Sequence, residues 1–275
     1  MPSCRQREDY PLSRKLAQFV SLSDADRLTI DGLRATDEAV PADVDLISEG
    51  DVPRFVFLLK QGMAARYRLL ADGGRQILTF LLPGDFSHID VTPRRLDHSI
   101  GTIAAARVAR IPHRRMTELF ARHPRLADAL RCSALQEESM LRERIVSLGR
   151  RDAHGRVAYL LCELLWRYRS VGLSEAGAIP WALTQTELGD ALGLTAVHIN
   201  RVLKHFRQDR LIATEPGLMR VLDAGSLQTR AGISHSYLQP GGIAAPRALH
   251  RDRDSYRAGY RAGGAAAGLA AAAAS

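Results

Sequence analysis

Residues 183–210, LTQTELGDALGLTAVHINRVLKHFRQDR, leave little choice of local structure. Thr184 followed three positions later by Glu187 is a capping box, in which hydroxyl and carboxylate each satisfy a backbone N–H left free at a helix start. A helix is therefore predicted from about Gln185. Gly193, between Leu192 and Leu194, suits the left-handed conformation that closes a helix, and Thr195 directly after it can cap a second one. Two short helices joined by a turn of three or four residues make a helix-turn-helix.

The second of these helices has two faces. Ile199, Val202, Leu203 and Phe206 recur at i, i+3, i+4 and i+7 and should pack inward, while Val197, Asn200, Arg201 and Lys204 repeat that spacing on another face. The outer face carries base-reading chemistry. Arg donates bidentately to guanine O6 and N7, Asn pairs with adenine N6 and N7, and Val touches a thymine methyl. Arg201 is the strongest single candidate; Thr184, Gln185, Thr195 and His198 complete the expected DNA-facing set. The plainer reading is an amphipathic surface helix with a solvated polar face. The residues after the helix favour DNA: 211–214, the turn Glu215-Pro216-Gly217 and 218–222 read as a β-hairpin, hence a wing beside the helices.

A chain of 275 residues with 46% hydrophobic content has room for two domains, each with a core. Its formal net charge of +8 suits a polyanionic partner, although the same balance fits a membrane surface or mere solubility. Cys4, Cys132 and Cys162 lie far apart without a C-x-x-C pair, which argues against a structural zinc site or a disulfide framework and points to a reducing compartment. The amino terminus lacks the apolar core of a signal peptide, and no apolar run approaches the ~18 residues of a membrane span. A cytoplasmic protein with no membrane partner is expected.

The rest of the chain reads as an α+β arrangement. Residues 1–33 hold two short helices, with Ser23 able to cap the second. Over 34–115 the period changes to short strands punctuated by glycine, with Asp72-Gly73-Gly74 as a hairpin turn, which suggests a jelly-roll or cupin-like β-roll. Helical periodicity returns over 116–150, where Pro124 suits a first turn. Leu126, Leu130, Ala134, Leu141, Ile145 and Leu148 form its apolar stripe, read as a coiled-coil dimer seam; burial against its own domain is the alternative, and Glu137 on the stripe weakens the seam. Residues 149–155 look like a hinge, and 151–227 form the winged helix-turn-helix, opening on the almost wholly apolar VAYLLCELLWRY. From 228 to 275 the Gly, Ala, Ser and Pro content predicts a disordered tail. Its Arg247, Arg251, Arg253, Arg257 and Arg261, interleaved with Tyr256 and Tyr260, could touch nucleic acid without sequence preference, but solvation is the simpler reading.

This order of parts, with GDVPRFVFLLKQG, DGGRQI, PGDF, HGRVAYLL and LTQTELGDALGLTAVHINRVL, resembles the CRP/FNR family of bacterial transcription regulators over residues 28–227. The resemblance implies a homodimer joined through the long helix, a recognition helix over 195–208 in the major groove of a palindromic operator on double-stranded DNA, and a contact with RNA polymerase. Departures bear on the effector. Members that bind cyclic AMP follow the PGDF-type turn with Gly-Glu and Arg-Ser pairs that hold ribose and phosphate. Here the stretch runs Ser87-His88-Ile89-Asp90 through Asp97-His98-Ser99, which offers a phosphate no obvious partner. Iron–sulfur members use about four thiolates, and only Cys4 lies near the amino terminus. The family's recognition-helix glutamate aligns with Val197, so the family's usual half-sites are not expected at that base pair. No cofactor is assigned from the sequence, neither a cyclic nucleotide nor an iron–sulfur cluster is expected, and the effector stays open. Two alternatives remain: a haem or gas sensor with His88 or His98 as axial ligand, and a cupin-type metal enzyme, for which His88, His98 and His113 lack the His-x-His spacing.

Overall fold

The structure is a computed structural model that describes residues 10–34 and 36–233. Cys4, the expected disordered tail from 234 onward and its Arg247–Arg261 and Tyr256/Tyr260 pattern lie outside the described residues. Helix α1 (Pro11–Ala17) opens on a proline, whose missing N–H is no loss at a first turn. In α2 (Asp24–Leu33), Ser23 and Asp26 form the capping box.

Seven strands come next: β1 (Glu38–Val40), β2 (Asp45–Ile47), β3 (Phe55–Gln61), β4 (Ala64–Leu69), β5 (Arg75–Leu81), β6 (Ser99–Thr102) and β7 (Ala106–Pro112). They pair antiparallel in two sheets, ordered β1-β7-β3 and β2-β6-β4-β5, which make the expected β-roll. Leu69 faces Arg75 across the Asp72-Gly73-Gly74 turn. The turn after β5 is built on Gly84, whose φ of +95° suits glycine; a Cβ there would meet the backbone of Pro11 at 3.0 Å. The close approach seats α1 on the turn.

Helix α3 (His113–Arg122) leads through His123 into α4 (Pro124–Arg150), which carries proline at its start as expected. The apolar stripe of α4 divides. Leu126 and Leu130 are buried with Leu12, Leu16, Ile30 and Phe86, so this part of the predicted dimer seam belongs to the protomer's own core. The reason is α1, whose leucines fill that face. Ala134 and Leu148 are half-buried, whereas Leu141 is exposed and Ile145 is 71% exposed, beside exposed Leu135 and Val146. Glu137 does not interrupt a seam either, because it turns inward to Lys15 and Arg66.

The chain breaks at Arg151 and resumes in α5 (Ala153–Ser170), capped by Asp152 accepting from the Gly155 N–H. Then come β8 (Ala178–Pro180), α6 (Gln185–Leu192), α7 (Ala196–Gln208), β9 (Ile212–Glu215), β10 (Leu218–Val221) and α8 (Ala224–Ala231), with β8-β10-β9 as one small sheet. Met63, Ile77, Phe80 and Leu82 of the roll join the residues of α5 in one buried apolar cluster. Roll and winged helix therefore share a core.

Helix α8 corrects the expectation that order ends at 227. Asp223 caps it, Gly232 closes it in the left-handed conformation, and Leu227 and Ala231 are buried in the winged-helix core. The sequence conceals it because a single buried leucine among Gly, Ser and Thr shows no periodicity. Leu227→Ala should cost about 2–5 kcal/mol by leaving a cavity. Urea denaturation would read it; an unchanged midpoint would mean that α8 does not pack as described.

Candidate nucleic-acid interface

Both caps of the helix-turn-helix are present. Thr184 Oγ1 accepts from the Glu187 N–H at 3.2 Å, and Glu187 Oε2 accepts from the Thr184 N–H at 2.6 Å. Gly193 closes α6 at φ 62°, and Thr195 accepts from the His198 N–H to start α7. Gly189 is a requirement that spacing did not reveal: a Cβ there would lie 2.5 Å from the Leu194 carbonyl oxygen, so the turn crosses α6 only over a glycine. The close crossing fixes the angle at which α7 leaves.

Ile199, Val202, Leu203 and Phe206 are buried, as the spacing predicts. Val197, His198, Asn200, Arg201 and Lys204 are exposed together on the opposite side, with Val197 66% exposed; Thr184, Gln185 and Thr195 are exposed at the two helix starts. An apolar side chain held in solvent among hydrogen-bonding ones suits a surface that meets both base edges and thymine methyls. The wing turns at Gly217, and its strands place Met219 opposite Thr214 and Arg220 opposite Ala213.

Two sets of polar contacts orient this unit. From the β4–β5 hairpin, Arg75 Nε donates to Asp190 Oδ2 at 2.8 Å, and Gln76 Nε2 donates to the Asp190 carbonyl oxygen at 2.8 Å. Arg156 Nη1 donates to the Leu192 carbonyl oxygen at 3.0 Å, satisfying an acceptor at the end of α6. Deeper lies a chain of buried and half-buried ion pairs that sequence reading missed. Arg144 Nη2 meets Glu163 Oε2 at 2.9 Å, Glu163 Oε1 meets Arg167 Nη1 at 3.3 Å, and Arg167 Nη2 meets Asp85 Oδ2 at 2.5 Å. Asp85 Oδ1 meets Lys15 Nζ at 2.6 Å, which meets Glu137 Oε1 at 3.1 Å, whose Oε2 meets Arg66 Nη1 at 3.1 Å. Glu163 and Arg167, four apart in an otherwise apolar helix, were the available signal.

A cavity of about 610 Å3 opens between the roll and the carboxyl-terminal half of α4. Ile77, Leu78 and Leu96 form one wall, and Leu141, Ile145 and Leu148 the other. His88 Nδ1 lies 3.0 Å from Ser87 Oγ and its Nε2 3.2 Å from His113 Nε2, so both ring nitrogens are engaged. Burial, then the charges of His113 and Arg66, hold its pKa down at about 4.

The description "Crp-like helix-turn-helix domain" matches residues 155–230, and "Cyclic nucleotide-binding domain" matches 38–123. The nitrogen fixation regulation protein FixK of Bradyrhizobium diazoefficiens is 31% identical over 189 residues, covering 68% of this chain and 78% of the relative. The chain belongs to the CRP/FNR family of transcription regulators. The transcriptional activatory protein AadR of Rhodopseudomonas palustris is also 31% identical, over 65% of this chain and 74% of its own. Among solved structures, FixK2 from Bradyrhizobium japonicum superposes with a TM-score of 0.65 at 23% identity, covering 72% of this chain and 98% of that one. As a CRP/FNR member the chain is a DNA-binding transcription regulator and not an enzyme, which sets aside the cupin-type alternative. Among the described residues, no three His, Cys, Asp or Glu side chains group to hold a metal, and no helix is long and apolar enough to cross a membrane.

The matched sensor domain implies a cyclic nucleotide, and the residues present do not fit one. Ser87 Oγ already accepts from the Phe57 N–H at 2.9 Å, and the Asp97 carboxylate stands beside His98 where the family's phosphate-binding arginine is expected. Of the cysteines among the described residues, Cys162 is buried with its thiol pushed up to about 12 by burial, the opposite of a ready thiolate ligand.

The ion-pair chain makes a pH prediction. Burial pushes the Asp85 carboxyl up, but Lys15 and Arg167 bring it down to about 2 from 3.8. A depressed carboxylate stabilises the fold above its unfolded value and loses that contribution as pH falls through about 4 to about 2. Asp85→Asn should therefore cost about 3–5 kcal/mol at neutral pH, with the difference from the parent shrinking over that acid window. Stability curves measured at pH 7 and pH 2.5 with equal gaps would contradict ionised pairing.

Proposed function

We propose that the protein acts in the cytoplasm as a homodimer that sets α7 of each protomer into successive major grooves of a palindromic operator and contacts RNA polymerase from that position. The observation that carries this reading is the single exposed face of α7, where Val197, Asn200, Arg201 and Lys204 stand opposite a fully buried apolar face. The fixed caps at Thr184 and Thr195 hold that face still, and backbone and side-chain donors at their helix starts can meet phosphate oxygens. Arg201 reads guanine, Asn200 reads adenine, and Lys204 and His198 supply phosphate or neighbouring base contacts.

Two such helices reach successive grooves only if held about 34 Å apart by a dimer. The seam assigned here runs through Ala134, Leu141, Ile145 and Leu148, with Leu135 and Val146 beside it. Exposed aliphatic side chains on one helix are stabilised when a second copy covers them. The two FixK relatives and AadR are named as regulators, and AadR as an activator, which favours recruitment of polymerase over simple blockade.

Arg201→Ala should weaken operator binding by about 1–3 kcal/mol and relax the choice of base at one position of each half-site. Footprinting that shows the same operator at parental affinity would remove Arg201 from the interface. Separately, Ile145→Glu should give monomers by light scattering and lower operator affinity, since a carboxylate in each helix would face its twin. A dimer that survives would place the seam elsewhere.

A further inference from the structure

A second cavity, of about 400 Å3, shares no residue with the one beside α4. Both halves of the chain build it: Met63 and Pro83 come from the roll, and Tyr168, Leu173 and Pro180 from the winged-helix half. Its volume falls within the range of small-molecule sites, roughly 300–1,000 Å3. The ionisable groups that line it are Arg34, Lys60, Tyr10 and Tyr168, all hydrogen-bond donors, and no Asp or Glu is among them.

Two of these donors find no acceptor among the described residues. Arg34 is half-buried, with its guanidinium stacked 3.4 Å from the centre of the Tyr10 ring. Its carboxylate neighbour, Asp31, is 3.9 Å away, beyond hydrogen-bond reach. Stacking holds the plane of the guanidinium and leaves its N–H edge available to an oxyanion. Tyr168 is 1% exposed, and its hydroxyl donates to no described residue. Burial pushes the phenol pKa up, so the proton stays on the oxygen. A buried hydroxyl without a partner is unfavourable, and an acceptor inside the cavity removes that cost.

Positive charge is concentrated on the Arg34 side. Lys60 Nζ lies 3.4 Å from the Arg34 carbonyl oxygen, which sets the ammonium beside the same stretch of backbone. Lys60 pairs with Asp37 at 3.2 Å, but Asp37 also takes Arg107, so one carboxylate serves two cations. A single negative charge satisfies Arg34 alone, whereas a dianion also uses the surplus at Lys60. A phosphate monoester carries about −1.5 to −2 at neutral pH and has three oxygens to divide between a guanidinium and an ammonium.

We infer that this cavity binds a small organic phosphate monoester, with the phosphate on Arg34 and Lys60, an apolar or aromatic body against Met63 and Leu173, and the Tyr168 hydroxyl donating to the ligand. The inference does not rest on the DNA reading, since neither α6 nor α7 contributes to the cavity. A ligand here touches roll and winged helix at once, so its binding stabilises their contact.

The test is calorimetric titration of the full-length protein with phenyl phosphate, inorganic phosphate and benzoate, with cyclic AMP as competitor. Phenyl phosphate should bind once per protomer and raise the melting temperature. Inorganic phosphate, which lacks the apolar body, and benzoate, which lacks the second charge, should each bind at least about tenfold more weakly. Cyclic AMP, a diester with one charge, should not displace phenyl phosphate. Arg34→Gln should weaken phenyl phosphate by about tenfold. Tyr168→Phe should weaken it several-fold while the ligand-free melting temperature stays at the parental value, because the lost hydroxyl has no partner in the described chain; this variant decides the matter if Arg34→Gln misfolds. No heat from phenyl phosphate, several molecules bound per protomer as on a merely basic surface, equal binding of inorganic phosphate or benzoate, displacement by cyclic AMP, or parental affinity in either folded variant would each overturn the site.

Discussion

Asp85 is the point at which the parts of this chain are held together. It closes its own turn by accepting from the Leu82 N–H at 2.7 Å, and its two oxygens bind Lys15 of α1 and Arg167 of α5. Through these partners and their neighbours, one line of alternating charge joins the amino-terminal helix, the roll, the long helix and the first helix of the DNA-binding domain. Such pairs rarely add net stability over a well-packed apolar alternative, because removing the charges from water costs about as much as their attraction returns. What they add is registry. An apolar cluster such as that around Phe80 and Tyr159 tolerates sliding, whereas an arginine between two carboxylates does not.

The geometry that results bears on DNA reading. The orientation of α7 is set by the left-handed Gly193 and the close crossing at Gly189; the position of α6 is set by Asp190, held by Arg75 and Gln76 of the roll. The helix-turn-helix is thus tied to the sensor roll by direct polar contacts at α6, and α7 follows from α6 across the glycine turn. Gln76 of the β4–β5 hairpin also lines the cavity beside Leu141 and Ile145, so one side chain borders the cavity and holds Asp190.

Local order was largely legible in the sequence because it is written in nearest neighbours. Ser23, Thr184 with Glu187, Pro124, and Asp72-Gly73-Gly74 act within a few residues of themselves, and the structure has each of them in its expected role. What escaped depends on distant parts of the chain. Leu126 and Leu130 look like any other seam leucines until Leu12 and Leu16 are found packed on them. Glu137 reads as a flaw in an apolar stripe, yet it is a half-buried partner of residues 122 and 71 positions away. Helix α8 has one buried leucine and good caps, too little for periodicity to register. The candidate DNA face was legible for the opposite reason: solvent leaves its side chains free, so helical spacing alone places them.

The central claim is that two copies of α7, fixed in relative position, read a two-fold symmetric site. The most direct measurement is selection of binding sequences from a random double-stranded pool with the full-length protein. The account predicts an inverted repeat whose half-site centres lie about one helical turn, ~34 Å, apart, each with a required guanine. A single unrepeated half-site, or a pool that shows no enrichment beyond base composition, would contradict it.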